Sequence, residues 1–411
     1  MKIGLVVPGF SADECDWCIP ALRHLVRELA QVDEVFILAL RYPHRMARYA
    51  CFGAQVQALG GGTRRWGYSA AVWGHALAVL AAEHRRGRFD VLHAFWANEG
   101  GALTALAGRV LGVPTVVSLG GGELVGFADI RYGGQLSLTE RGKSRIALTQ
   151  ANVVTGGSSS LLERAAPWLR ARPARQVQRV PLGVDTTLFC PGPAVERDGL
   201  PRLVHVASLL PVKEQRVLLQ AAARLQARGV RFELDIVGEG PEEQRLRELA
   251  NELGIAGIVH FRGAIPHDQL PDLYRAASLF VLTSRFESQC MAVLEAAACG
   301  VPTVSTSVGV VPELAPDAAV AVPVGDAQAL AEAIAALLAD PARLASMGRS
   351  ARARVEAEYS LERCVERFRH LYATLAAPQT APSSGEERRL SATMRPRVIQ
   401  KSKYNETTSR K

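Results

Sequence analysis

No apolar run in this chain is long enough to cross a bilayer. The longest, SAAVWGHALAVLAA at residues 69–82, falls short of the ~20 residues a spanning helix needs and is broken by His75. Its helix is expected to be buried. Aromatic residues make up only 6% of the sequence. The seven cysteines fall at scattered spacings, which excludes a disulfide framework and points to a reducing compartment. Cys15 and Cys18 have the spacing of half a zinc site, but no second pair follows, so no metal centre is expected. Two nucleotide-binding fingerprints are missing as well. There is no GxGxxG turn and no GxxxxGK[ST] loop, which argues against a dinucleotide-dependent dehydrogenase and against an ATPase. The opening MKIGLVVPGF reads as a first strand rather than a secretion signal.

Positive charge is unevenly placed. Most of the formal net +8 lies in residues 386–411, where eight Arg or Lys face only Glu386, Glu387 and Glu406. That describes a basic tail rather than a nucleic-acid groove, and no specific nucleic-acid partner is expected. Contact with an anionic membrane surface stays open.

What is present is a twice-repeated alternation of apolar strands with helices, suited to a parallel sheet covered on both faces. IGLVV, VFILAL, a short run at Ala54–Ala58, DVLHAF, TVVSL and NVVTG read as strands of a first half. A Pro/Gly-rich linker, PGPAVERDGLP at 191–201, precedes RLVHVASL, ELDIVG, IVHF, LFVLT and TVSTS. The expected fold class is α/β, two Rossmann-like domains facing a central cleft. The expected domains are an acceptor-side domain at 1–186, a nucleotide-sugar-binding domain at 187–358, a C-terminal helix at 359–375 crossing back to the first domain, and a basic tail at 376–411.

The most informative stretch is SRFESQCMAVLEAAACGVPTVSTS, residues 284–307. Glu287 and Glu295 bracket the start of an alanine-rich helix that follows a strand. Such a helix N-terminus offers unsatisfied N–H groups, here near Gln289, Cys290 and Met291, to an anionic ligand. An ionised carboxylate can accept from two vicinal sugar hydroxyls at once. One carboxylate for each sugar of a nucleotide-sugar fits the spacing; two solvated surface glutamates are the competing reading. Lys213, in SLLPVKEQ, and Gly9, in PGF, mark two further strand-to-helix turns suited to phosphate. Each, taken singly, is also ordinary topology. His93, at the end of DVLHAF, reads equally as facing an acceptor or as a satisfied core histidine. Glu99 and Glu123 are candidate acceptor-side acids, with surface glutamate as the alternative.

The stretch from Ser284 to Val304 resembles the signature of glycosyltransferase family 4, the retaining transferases of the two-Rossmann-domain GT-B fold. PLGVD at 181–185, VGEGP at 237–241 and FRGAIPHDQLPDLYRAA at 261–277 resemble further landmarks of that family. The resemblance implies a retaining glycosyltransferase that moves a hexosyl unit from a nucleoside diphosphate sugar, a UDP- or GDP-sugar, to a hydroxyl of a sugar, lipid-linked or small-molecule acceptor. It implies no cofactor and no required metal. Glu287 would orient the donor hexose, Glu295 would bind the ribose, and Lys213 would neutralise the diphosphate. Gln289, Cys290 and Met291 would supply backbone donors, Gly9 would let the first domain close, and Gly309 and Val310 would lie on the nucleobase side. A cytoplasmic protein, or one peripheral at the inner face of the membrane, is expected.

Three positions depart from the family pattern. The usual Gly-Arg reads Ala207-Ser208, with Arg285 a candidate to compensate for the missing arginine. Phe-Gly reads Gln289-Cys290. The first-domain His-Gly-x-Asp reads Gly120-Gly121-Gly122-Glu123, so Gly120 replaces a histidine and Glu123 fills the acidic place. These departures leave a reshaped donor pocket or a weakened activity. Two rivals follow: a nucleotide-sugar epimerase of the same architecture, and a degenerate protein that binds a nucleotide-sugar or a partner without turnover.

Overall fold

The computed structural model describes residues 1–61, 68–170, 172–173, 176–192 and 199–377, with only the backbone of 68–70. The middle of the expected linker, most of the loop at 60–68 and the basic tail from 378 lie outside the described residues.

The first half forms an eight-stranded sheet in the order β3-β4-β2-β1-β5-β6-β7-β8. Its strands are β1 (Lys2–Gly9), β2 (Glu34–Tyr42), β3 (Met46–Cys51), β4 (Ala54–Leu59), β5 (Val91–Phe95), β6 (Thr115–Ser118), β7 (Val153–Gly156) and β8 (Val177–Arg179). All pair in parallel except β3, which runs antiparallel to β4 at the edge. The sequence pattern does not single out β3, because an edge strand alternates exposed and half-buried residues and carries no apolar run. Central strands are buried on both faces, so Ile3, Leu5, Val6 and Val7 read as a continuous apolar run.

Helices cover both faces. On one side lie α2 (Tyr68–Arg86), α3 (Glu99–Leu111), α4 (Leu138–Gln150) and α5 (Ser159–Leu169); on the other lies α1 (Pro20–Leu29). Their ends follow local chemistry. The Asn98 side chain caps α3, and Gly112, in the left-handed region at φ 67°, ends it. Ser137 and Ser158 cap α4 and α5.

The second half repeats the plan with a six-stranded, wholly parallel sheet, β11-β10-β9-β12-β13-β14. These strands are β9 (Arg202–Val206), β10 (Glu233–Val237), β11 (Val259–Gly263), β12 (Leu279–Leu282), β13 (Thr303–Thr306) and β14 (Ala319–Val322). β8, of three residues, and β14, in an alanine-rich stretch, are further strands the pattern does not announce. The helices are α6 (Gln215–Ala227), α7 (Glu243–Glu252), α8 (Leu270–Ala276), α9 (Met291–Ala298), the single turn α10 (Val311–Leu314), α11 (Ala327–Leu338) and α12 (Pro341–Arg354).

One π-turn, Val355–Tyr359, leads from α12 to α13 (Leu361–Ala376). That helix leaves the second sheet. Its Cys364, Phe368, Leu371 and Tyr372 pack with Leu22, Leu25, Val26 and Leu29 of α1 in the core of the first sheet. A bridge between Val184 and Ser360 holds the start of α13 against the 181–185 segment. In each sheet the strand order reverses, beside β1 and beside β9, and such a switch point opens a crevice at the carboxyl ends of the strands.

Candidate active site

Between the carboxyl ends of the two sheets lies a cavity of about 380 Å³. Its charged lining comes from the second half. A short 3₁₀ turn, Pro211–Lys213, follows β9 and delivers Lys213; the loop after β12 delivers Glu287; the second turn of α9 delivers Glu295.

Lys213 Nζ lies 2.5 Å from Glu287 Oε1, and Ser284 Oγ donates to that same oxygen at 2.6 Å. Thr283 Oγ1 donates to the Lys213 carbonyl at 2.9 Å, tying the two loops together. Burial on its own would lower the Lys213 pKa. The adjacent Glu287 charge and hydrogen bond outweigh it, so the pKa moves up and Lys213 stays a cation.

Glu295 is held by two partners. His267 Nε2 lies 2.9 Å from Oε1, and the Tyr274 hydroxyl donates to Oε2 at 3.1 Å. Burial, then the Glu295 charge, pushes the Tyr274 pKa well up, which keeps that phenol a donor. Neither partner is evident from sequence spacing, although His267 stands inside the PHDQL segment.

Gln289, Cys290 and Met291 also line the cavity. Cys290 precedes α9 at φ 81°, a rare conformation for a residue with a Cβ, and turns the chain so that the first helical N–H groups lack carbonyl partners within the helix. Its thiol is buried and its pKa is pushed well up, so it is no thiolate nucleophile. The Gln289 amide clamps the first half: it accepts from Leu182 N at 2.8 Å and donates to Leu182 O at 2.6 Å. Beside it the Ser158 hydroxyl donates to the Ser288 carbonyl at 2.5 Å.

Several sequence candidates lie elsewhere. His93 is fully buried, 2.6 Å from the Tyr372 hydroxyl and 2.7 Å from Ser118 Oγ; burial pushes its pKa down to about 3. It is a satisfied core histidine, outside the cavity lining. Glu99 forms a two-pronged pair with Arg41 at 2.8–2.9 Å and accepts from Trp73 Nε1 at 2.9 Å, which occupies its carboxylate in structure. Glu123 is buried beneath the loop it belongs to. Its Oε1 accepts from Ala97 N at 3.1 Å and Gly120 N at 2.8 Å, and burial raises its pKa.

Gly9 packs against Tyr42, outside the cavity lining, and Ser208 is exposed outside it. Arg285 does not stand in for the missing arginine: it pairs with Asp129 and lies over the Phe127 ring at 4.3 Å. Gly309 and Val310 stand behind the Gln289 loop. Val310 N donates to Gln289 O at 3.0 Å, and a Cβ at Gly309 would come 2.7 Å from that oxygen. Gly120 does line the cavity. Among the described residues no three His, Cys, Asp or Glu side chains group as metal ligands.

Comparison with known proteins gives the family and the fold. The model of the family "Glycosyl transferases group 1" matches residues 193–354. The chain is 36% identical over 193 residues to a GDP-mannose-dependent alpha-(1-6)-phosphatidylinositol monomannoside mannosyltransferase of Mycolicibacterium smegmatis, covering 43% of this chain and 50% of that protein. It therefore spans about half the length of that relative. It is 33% identical over 292 residues to D-inositol 3-phosphate glycosyltransferase 2 of Catenulispora acidiphila, covering 66% of this chain and 67% of that one. Among solved structures, a sucrose-phosphate synthase from Thermosynechococcus elongatus superposes with a TM-score of 0.73 at 21% identity, over 91% of this chain and 98% of that one. HepE of Anabaena, in complex with UDP and glucose, gives 0.70 at 18% identity, over 91% and 100%. At these identities the structural likeness shows the fold, two Rossmann-like domains in the GT-B arrangement.

Proposed function

Because the chain belongs to the glycosyl transferases group 1 family, we propose that it transfers a hexosyl unit from a nucleoside diphosphate sugar to a hydroxyl acceptor, with retention at the anomeric carbon. The observation that carries this is the meeting of Lys213, Glu287 and Glu295 on one cavity beside the N-terminus of α9.

Each group has a task. Lys213 and the first N–H groups of α9 face the diphosphate and stabilise charge growing on the leaving phosphate. Glu287 accepts from hydroxyls of the hexose and orients it. Glu295 accepts from the ribose, positioned by His267 and Tyr274. The bond from the anomeric carbon to the phosphate oxygen breaks as the acceptor oxygen bonds to that carbon on the same face. The acceptor proton passes to the departing phosphate oxygen. No enzyme nucleophile is required.

The relatives' names include a GDP-mannose-dependent enzyme, and one structural neighbour holds UDP, which supports a UDP- or GDP-sugar as donor. The phosphatidylinositol mannoside in one relative's name supports a lipid-linked acceptor. On α4, exposed Leu138 and Ile146 share a face with Arg141 and Arg145, which supports work at an anionic membrane surface. No described helix is long and apolar enough to cross a membrane.

The test is a panel of UDP-, GDP-, ADP- and dTDP-sugars, read by calorimetry and nucleoside diphosphate release. Selective binding of one donor with slow release is the expected result. Failure to bind any of them would overturn the reading in favour of a degenerate, partner-binding protein.

A further inference from the structure

Trp96 follows β5 and lines the cavity. Its backbone sits at φ 73°, in the left-handed region that a bulky residue rarely adopts. Such strain persists only where the surroundings enforce it, and it gathers at ligand sites. Here Trp96 N donates to Ser118 O at 2.7 Å, and the next residue, Ala97, donates its N–H to Glu123 at 3.1 Å. The same Glu123 oxygen holds Gly120 N. Glu123 thus fixes the two strand-end loops to each other from below.

The indole lies where a side chain at position 120 would project. A Cβ on Gly120 would stand 1.9 Å from Trp96 Cδ1 and 2.0 Å from Nε1. Glycine at 120 and tryptophan at 96 are therefore one device: the ring needs the space that glycine leaves. The neighbouring Gly121 abuts Ser288, with a Cβ there coming 2.6 Å from Ser288 Cβ. This contact sets the pair beside the Glu287 loop, at the end of the cavity where the sugar would react. Trp96 is half-buried, and among the described residues no protein group accepts from its indole N–H, which leaves that donor open to a ligand. A tryptophan offers an apolar face and one polar donor, and that donor normally finds a partner when enclosed.

We propose that Trp96 is a donor-sugar specificity residue, its indole N–H donating to a hydroxyl of the transferred hexose and its ring walling the sugar subsite in the space opened by Gly120. This rests on the transferase reading above. It assigns to the first half a neutral hydrogen bond to the sugar, with no contact to the nucleoside.

The experiment compares each sugar nucleotide with its own nucleoside diphosphate, UDP-glucose with UDP and GDP-mannose with GDP, by calorimetry on the full chain. Trp96→Phe keeps an aromatic ring and removes the N–H. For the pair that the wild type binds, the ratio of the sugar-nucleotide to diphosphate dissociation constants should rise about tenfold, with diphosphate affinity and Tm unchanged. Gly120→Ala pushes the ring aside and should raise the same ratio. An unchanged ratio in both variants, or equal loss of both ligands, would overturn the role of Trp96 while leaving the transferase reading intact. A wild-type protein that binds none of the UDP-, GDP-, ADP- and dTDP-sugars would overturn both.

Discussion

The two halves meet the cavity with different chemistry. The second half sends Lys213, Glu287 and Glu295 into it, while the first sends Trp96, Gly120 and Gly157. The ionisable groups at the strand ends of the first half are engaged by protein partners instead. His93 is bonded between Tyr372 and Ser118, Glu99 is paired with Arg41, and Glu123 pins two loops. The charged lining therefore belongs to one half, and the aromatic and glycine lining to the other. In an α/β sheet the strand ends of either half could carry charge. What separates them here is the local chain: a left-handed Cys290 opening α9 in one case, and a run of three glycines after β6 in the other.

If this division is right, breaking the charged side should strike chemistry. Glu287→Ala removes the partner of Lys213 and the group that orients the hexose. Misplacing a reacting group by about 1 Å costs on the order of a hundredfold, and kcat for nucleotide release should fall by at least that much. Glu295→Ala should act on binding instead. Loss of a charge-assisted hydrogen bond to ribose predicts a rise in donor KM of roughly tenfold to a hundredfold with kcat little changed. Negligible effects from both substitutions would remove the site from this cavity. Identical loss of kcat from both would erase the distinction between sugar-holding and ribose-holding acids.

The first half should respond through stability. Tyr372→Phe leaves one nitrogen of the buried His93 without its partner at the seam between α13 and β5. Urea denaturation should show a loss of about 1–3 kcal/mol, with kcat and KM of the folded enzyme unchanged. A fall in kcat at full stability would return His93 to the acceptor side.

The sequence exposes these two halves unequally, for physical reasons. In the second half the acids and the helix entry between them lie within one short stretch, because a single strand-to-helix turn delivers them all. Their chemistry is therefore local and readable from spacing. Lys213 arrives from another strand end, yet a lysine before a helix is itself a local signal. In the first half the decisive relation is between Trp96 and Gly120, in the loops after two adjacent strands, with a whole helix between them in the chain. A glycine in sequence does not show which ring fills its place. The same blindness explains Glu123 and Glu99, whose surface and buried roles have the same composition. It also explains His267 and Tyr274, which lie on Glu295 only because the stretch before α9 folds back over its second turn. Among the elements, the buried parallel strands are legible as apolar runs, whereas β3 at an edge and β14 in an alanine-rich stretch carry too little hydrophobic contrast to be read.

Acid offers the subtlest test of the same division. His93 lies in the first sheet, His205 in the second, and His24 on α1 where the halves touch. Burial pushes their pKa values down to about 3, about 4 and about 4, the last assisted by the nearby His267. In the unfolded chain each returns to about 6.5. The unfolded state then binds protons that the native state does not, so stability is intact above that value and is lost as pH falls from about 6.5 towards 4. Tm measured across this window should therefore drop. His24 differs from the other two in its surroundings. Its ring lies 5.5 Å from His267 and 5.9 Å from Trp17, with Asp185, Arg23 and Arg27 as the charges facing it. Because His267 holds Glu295, a proton on His24 acts next to the acid proposed for ribose, and donor affinity should fall with pH. His24→Gln should flatten the Tm profile by up to about one proton's worth of slope and should flatten the acid loss of donor affinity with it. The Tyr372→Phe variant, altered beside His93, should leave the pH dependence of donor affinity as in the wild type. Equal flattening of donor affinity by both would mean that protonation reaches the cavity through the whole fold rather than at the seam.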